Sequence, residues 1–404
     1  MAHMNKAAER SPYGGKRLEK LRPKPRPVTP PRAKERLAKF DIPFFIITLV
    51  LMVFGLVMLL SASSSFAARE HGDSYFFFNR QLMFVITGLV LMIVVSVVPY
   101  RIFLNKKIVI MLASVSLGLM IAVKLGGVSQ GGAERWINIA GITFQPSEIL
   151  KFALIVVLAY MAQKFPERLK TFKKVFVPFC FIIGIACVLT IIQPHLSGTI
   201  IMGGIGLSLM IASPIRIRYI VIAFALAAIA GVIVFSVMSA QGYSYFHDRF
   251  LGFFDPEADI TGKTFQTYQS LVTIGSGGWF GLGLGNSRQK FSYLPATHND
   301  FIYSVICEEL GFVGGILVLL LFVIFILRGF YIAAHARDRF GMVLATGITA
   351  QIGIQAFLNI AVATNSVPNT GILLPFFSYG GTAMTMLLIQ LGVLLNISRK
   401  AAIE

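Results

Sequence analysis

Apolar residues in this chain gather into long, nearly unbroken runs with short polar stretches between them. These runs lie near 42–61, 81–99, 107–124, 147–163, 175–193, 199–213, 218–238, 302–328, 340–363 and 381–398. A helix rises about 1.5 Å per residue, so about 20 apolar residues cross the hydrocarbon core of a bilayer. The pattern therefore predicts an all-α integral membrane protein, a polytopic bundle of ten transmembrane helices. The runs at 147–163 and 199–213 are the shortest. A transmembrane barrel would instead show alternating segments of about ten residues. The longest polar interruption, about 239–301, falls between helices 7 and 8. Loops of that length are uncommon unless they have a function, and this one is rich in glycine and aromatic residues. It is expected to pack on the bundle as part of a cavity roof.

Composition agrees with the runs. Of 404 residues, 56% are hydrophobic and 13% are charged, against about a quarter charged in soluble domains. The net charge of +18 could suggest a nucleic-acid partner, but its distribution argues otherwise, since 12 of the 36 Lys and Arg lie in the first 40 residues. That segment, with its "LRPKPRPVTPPRAKER", has no apolar face. Residues 1–40 are expected to be a disordered, basic, Pro-rich cytoplasmic tail lying near anionic membrane lipid, with no nucleic acid bound; residues 41–399 are expected to form the transmembrane domain. Counting along the chain, 27 of the 36 cations fall in the tail and in alternate loops on one side. By the positive-inside rule that side is cytoplasmic, which places both termini there. Cys180, Cys187 and Cys307 lie in or beside apolar runs at no metal or redox spacing, so packing is their expected role.

Four segments carry candidate chemistry. In "ERWINIAGITFQPSEILK", Pro146 suits a first helical turn, and Glu148 and Lys151 stand at i and i+3 on one face. Either they neutralise one another, or they line a cavity wall in which Arg135 binds an anionic ligand. In "TIIQPHLSGT" a tight outer hairpin places His195 at the membrane surface, where capping is its commoner role. "TNSVPNTGILLPFFSYGGTA" is polar, uncharged and broken by Pro and Gly, and is expected to line a wet cavity as a re-entrant segment that includes Ser378. The glycines of "GSGGWFGLGLG" match no nucleotide loop, and close backbone packing explains them better.

The last segment, "LPATHNDFIYSVICEELGFVGG", sets His298, Asn299 and Asp300 before a span that holds Glu308 and Glu309. On one continuous helix Glu308 would lie about 12 Å deeper than Asp300, with Glu309 on roughly the opposite face. The three carboxylates then cannot meet one substrate. Asp300 falls where water and lipid head groups mingle. Glu308 and Glu309 are expected to bind neighbouring helices or to be held protonated by burial. Helix capping is the simpler alternative for Asp300.

Taken together, "RWI" at 135–137, "FQPSEILK" at 144–151, "QP" at 193–194, "IGSGGWFGLGLGNSRQK", "HNDFIYSVICEELGFVGG" and "LPFFSYGG" at 374–381 resemble the SEDS family (shape, elongation, division and sporulation). The resemblance covers nearly everything after the tail. It implies ten transmembrane helices and a peptidoglycan glycosyltransferase that polymerises lipid II, undecaprenyl diphosphate bearing a disaccharide-pentapeptide. A class B penicillin-binding protein is the implied partner, and the bacterial cytoplasmic membrane the implied location. Carried onto this chain, it makes Asp300 the essential aspartate, and it makes Arg135, Glu148, Lys151 and Lys290 substrate-binding. Glu308, Glu309, His298 and Ser378 are then supporting residues. Two positions depart from the family's habit: His195 and Ala296 stand where acidic residues are common. The basic tail and "NSVPNTGILLPFFSYGG" lie closer to the division or sporulation branch than to the elongation branch. No cofactor is certain from the sequence, and a divalent ion, magnesium or manganese, is a candidate beside a diphosphate leaving group. A lipid flippase and a non-catalytic division scaffold are the rival readings.

Overall fold

The computed structural model describes residues 40–130, 133–139, 142–165, 171, 176–193, 195–240, 244–288 and 298–400. Residues 1–39 of the expected tail, Ala296 and Lys290 lie outside them. A helix occupies each of the ten apolar runs. In chain order these are α1 (Ile42–His71), α2 (Phe76–Val97), α3 (Lys106–Gly126), α4 (Pro146–Lys164), α5 (Val177–Ile192), α6 (Leu196–Ala212) and α7 (Ile217–Ala240), then α10 (Ile302–Ala334), α11 (Arg339–Ala363) and α12 (Gly381–Lys400). By length and composition, α1 to α4 and α10 to α12 are long and apolar enough to cross a membrane; α5, α6 and the apolar part of α7 are shorter. The long connection after α7 contains two short helices, α8 (Ser244–Phe254) and α9 (Phe265–Ser276).

Two differences from the sequence reading concern extent. α1 continues ten residues past the apolar run, to His71, and α2 starts five residues before its run. Ser, Ala and Arg sustain a helix well once it is nucleated, so hydropathy marks the buried length and not the helix. The other addition is a small antiparallel sheet between α3 and α4, β1 (Val128–Gln130), β2 (Ala133–Ile139) and β3 (Ile142–Phe144). Its β2–β3 register sets Ile137 against Phe144 and Asn138 against Thr143. Three short strands in a loop leave little trace in hydropathy.

Local chemistry sets the helix ends. Asp41 caps α1 by accepting from the Phe44 amide at 2.9 Å, and Gly72 ends the helix in a left-handed turn. Asp338 caps α11 through the Gly341 amide at 2.7 Å, and Pro146 opens α4. The same acids pin the helix ends remote from the cavity described below. Asp41 also pairs with Arg328 at 2.7 Å, and Asp338 pairs with Arg101 at 2.9 Å.

Burial sorts the helices. About 72% of the apolar windows of α4 and α11 is buried, against 22% for α3, so α4 and α11 are central and α3 is peripheral. Outward faces carry residues such as Ile46, Val50, Val53 and Val57, and inward faces carry Thr48, Ser63, Gln81, Asn359 and Asn396. That inside-out pattern suits a bundle whose solvent is apolar, because interhelical hydrogen bonds then hold the interior. Asn396 Nδ2, for example, donates to the Ser96 carbonyl at 2.7 Å.

α10 is not one continuous helix. Gly311 breaks it with φ +70° and ψ −170°, and the glycine-rich loop fills the break. The Leu282 and Gly283 amides donate to the Glu308 and Glu309 carbonyls, each at 3.0 Å, and the Phe312 amide donates to the Gly278 carbonyl at 2.8 Å. The freed backbone groups are thus paired again inside protein. A side chain at Gly311 would run into the Gly281 and Trp279 backbone. Gly311→Ala is expected to lower stability by about 2 kcal/mol or more, from the unfavourable φ and the displaced loop. A fall in the thermal unfolding midpoint in detergent is the check, and an unchanged midpoint would show that the break is not strained.

Candidate active site

The ends of α1, α2, α4 and α6, strand β2, helix α8 and the stretch between α11 and α12 enclose a cavity of about 620 Å³. Asp300, Glu148, Lys151, Arg135, His195 and His298 all line it, residues spread over more than 160 positions of sequence. Ser378, Glu308 and Glu309 do not.

Asp300 sits in the turn before α10 and does not cap that helix, whose N-cap residue is Phe301. Its backbone is held from beneath, where Asn359 Nδ2 donates to the Asp300 carbonyl at 2.8 Å and to the Ile372 carbonyl at 2.6 Å. No hydrogen bond ends on its carboxylate among the described residues. Gly371, with φ +66°, leaves the room it needs, because a Cβ there would come within 3.2 Å of Asp300 Oδ2. Withdrawal from bulk water raises the Asp300 pKa, while Arg249 and Arg135 pull it down. Its backbone is thus held while its carboxylate has no hydrogen-bond partner among the described residues and has cations nearby, an arrangement suited to a proton acceptor.

Glu148 and Lys151 form a buried ion pair at 2.7 Å near the start of α4. Lys151 Nζ also donates to Gln355 Oε1 at 3.1 Å, and Gln355 is anchored on the Leu373 carbonyl at 3.1 Å. The pair thus both neutralises itself and lines the cavity. Arg135 is carried by β2 and donates through Nε to the Gln193 carbonyl at 3.4 Å. His195 lies between α5 and α6. Burial, reinforced by Arg135 and Lys151, lowers its pKa to about 3, so the ring is neutral. Its Nδ1 is buried with no partner among the described residues.

Sequence reasoning passed over Arg249, Arg80 and Gln355, all in the cavity wall. Arg249 on α8 donates to the Asn369 carbonyl at 2.7 Å, tying the long loop to the re-entrant stretch. A signal did exist: nine cations fall outside the cytoplasmic set of the charge count, and Arg80, Arg135, Lys151 and Arg249 are four of them.

The remaining candidates hold the site from behind. Ser378 Oγ donates to the Asn299 carbonyl at 2.6 Å and accepts from the Leu374 amide at 2.8 Å. Glu308 accepts from Ser287 Oγ and, at 3.0 Å, from the Arg288 amide. Glu309 accepts from Ser61 Oγ of α1 at 2.6 Å. The two carboxylates bind different elements, one the long loop and the other a neighbouring helix.

Among the described residues no three His, Cys, Asp or Glu converge on one point. Glu148 is committed to Lys151, and Asp300 faces arginines.

Comparison with known proteins places this geometry. Residues 42–403 match the model of the FtsW/RodA/SpoVE family, described as cell cycle protein. A protein from Geobacter sp. strain M18 named probable peptidoglycan glycosyltransferase FtsW is 36% identical over 365 residues, covering 90% of this chain and 98% of the relative. Stage V sporulation protein E of Bacillus subtilis strain 168 is 38% identical over 359 residues, covering 89% of this chain and 97% of the relative. Among solved structures, a chain from work on "structural coordination of polymerization and crosslinking by a peptidoglycan synthase complex" superposes with a TM-score of 0.73 at 26% identity, covering 90% of this chain and 99% of that one. The rod shape determining protein RodA of Thermus thermophilus shares the fold, with a TM-score of 0.65 at 24% identity over 90% of this chain and 98% of that one.

Proposed function

The chain belongs to the FtsW/RodA/SpoVE family, and from that premise we propose that it is a peptidoglycan glycosyltransferase that polymerises lipid II with Asp300 as general base. The observation that carries this reading is one cavity whose wall holds the Asp300 carboxylate together with Arg135, Lys151 and Arg249. A sugar hydroxyl gives its proton to Asp300 as its oxygen attacks the anomeric carbon of the second sugar. The bond from that carbon to the diphosphate breaks, and the electron pair leaves on the diphosphate oxygen. Cations neutralise the departing charge, so the leaving group needs no proton. The volume of about 620 Å³ has room for the reacting sugar and diphosphate groups, and the polyprenyl tail can lie along the apolar outside of the bundle.

In this reading ten helices cross the bacterial cytoplasmic membrane with both termini inside and the cavity on the outer face. The charge distribution supports that orientation. Relatives named FtsW and stage V sporulation protein E at 36% and 38% identity support the division or sporulation branch. A class B penicillin-binding protein is the partner proposed, supported by the likeness to a chain of a synthase complex. Lys290 remains a proposed substrate contact.

The test is purified protein with its partner and labelled lipid II, read as polymer on a gel. Polymer supports the assignment. No polymer, with lipid scrambling in vesicles instead, would favour a flippase. The same assay checks Arg249. Arg249→Ala removes the cation that most favours ionised Asp300, so the acid limb of the pH–rate profile should move to higher pH. An unmoved limb would show that Arg249 does not act on the base.

A further inference from the structure

The glycosyltransferase reading uses the cations of the cavity and leaves another part of its wall unexplained. His71 at the end of α1, Phe76 and Phe77 at the start of α2, His298 and Tyr379 all line the same cavity. Their rings form one continuous group. His71 stacks on Phe76 with centroids 3.9 Å apart, Phe77 stacks on His298 at 4.6 Å, and Tyr379 meets Phe77 edge-on at 5.0 Å. The Arg80 guanidinium lies over Phe76, 5.2 Å from its centroid. The group is joined to the proposed base through the backbone: the Tyr379 amide donates to the His298 carbonyl at 2.8 Å, and Asp300 follows two residues later.

Such a wall has a definite chemistry. The negative face of an aromatic ring attracts positive edges and cations and repels anions. Burial pushes the His298 pKa down to about 4, so that ring is neutral and adds no charge. The ring faces themselves offer a diphosphate no attraction. A pyranose ring does, since one of its faces is a sheet of C–H bonds with partial positive charge. Its hydroxyls and acetamide can then reach planar donors at the edge, such as Arg80.

We infer that this aromatic wall is a sugar-ring subsite, which takes the N-acetylated sugar that presents its hydroxyl to Asp300 while Arg135, Lys151 and Arg249 take the diphosphate end of the other sugar. The assignment rests on the glycosyltransferase reading and adds direction to it: the acceptor ring lies toward α1 and α2, and the leaving group toward β2, α4 and α8. His71 stacks on Phe76 and Arg80 lies over that ring, so a sugar would meet the exposed His71 ring and the edge of the half-buried Phe76, and both can be replaced without emptying the core. Phe77 and His298 are buried and hold the platform in place.

The test uses the full chain in detergent and two soluble probes, an N-acetylglucosamine disaccharide and inorganic diphosphate, with binding of each measured by competition and saturation-transfer NMR. Phe76→Ala and His71→Ala should each weaken the disaccharide by about fivefold, the size expected for one lost ring contact, and leave diphosphate unchanged. Phe76→Tyr should retain disaccharide binding, and Arg249→Ala should weaken diphosphate alone. A thermal midpoint for each variant separates lost binding from lost fold. No disaccharide binding to wild type, no change on removing the rings, or equal loss of both probes would overturn the subsite. If polymer forms from lipid II while the ring variants bind the disaccharide normally, the subsite fails and the enzyme reading stands. If the rings bind sugar as stated but no polymer forms, the enzyme reading fails instead.

Discussion

Asp300→Ala should reduce polymer formation from lipid II by about a hundred- to ten-thousand-fold, the usual contribution of a positioned general base. The fold should tolerate the change, because no hydrogen bond among the described residues ends on the carboxylate and Asn359 holds the backbone carbonyl, which the substitution keeps. Asp300→Asn is the sharper form of the test. It preserves shape, cannot take the proton, and should be as inactive as alanine with an unchanged thermal midpoint. In wild type the direction of the pH dependence follows from the site. Burial raises the Asp300 pKa above the usual carboxylate range, against the pull of Arg249 and Arg135. Activity should therefore fall as the pH drops through that raised pKa, where the carboxyl keeps its own proton. Normal polymer from Asp300→Asn would end its role as base.

Glu148→Ala should cause the largest loss of stability among the cavity residues. Lys151 is 4% exposed at its side chain and pairs with Glu148 at 2.7 Å. Removing the carboxylate leaves a buried ammonium with Gln355 as its one remaining hydrogen-bond partner among the described residues. Breaking a buried pair from one side costs about 3–5 kcal/mol, whereas replacing both partners with well-packed residues is often nearly neutral. Glu148→Ala should thus unfold well below wild type in a thermal melt, and Glu148→Gln with Lys151→Met should recover most of the difference. If Lys151 also faces the diphosphate, that double variant should be stable but poor in polymer. A double variant with full activity would leave the pair a purely structural role, and a Glu148→Ala melt identical to wild type would show that the ammonium is not buried in solution.

The sequence was most legible where one physical cause dominated. The runs that became α1, α10 and α12 could be read from hydropathy alone, because an apolar solvent demands long apolar segments whatever they pack against. Their true ends could not, since helix persists beyond the apolar length, as at His71. The break in α10 was hidden for a related reason. Nothing within "EELGFVGG" says which glycine takes a left-handed φ, and only the arrival of residues 277–283 against Glu308 and Glu309 settles it on Gly311.

Asp300, Arg135, Glu148 and Lys151 stood out as charged groups at membrane edges, where charge is costly and so has a reason. Arg249 and Arg80 did not, because both lie outside the apolar runs, where an arginine costs little. Arg249 meets Asn369 across 120 positions. The sequence by itself determined the helices and the short list of costly charges, both consequences of the solvent around the chain. Only the tertiary structure decided which charges and rings share one cavity, because that depends on which helix ends meet. Helix spacing alone separated the acids of "HNDFIYSVICEELG"; the tertiary structure supplied their surroundings, with Asp300 in the cavity wall, Glu308 on the loop and Glu309 on α1.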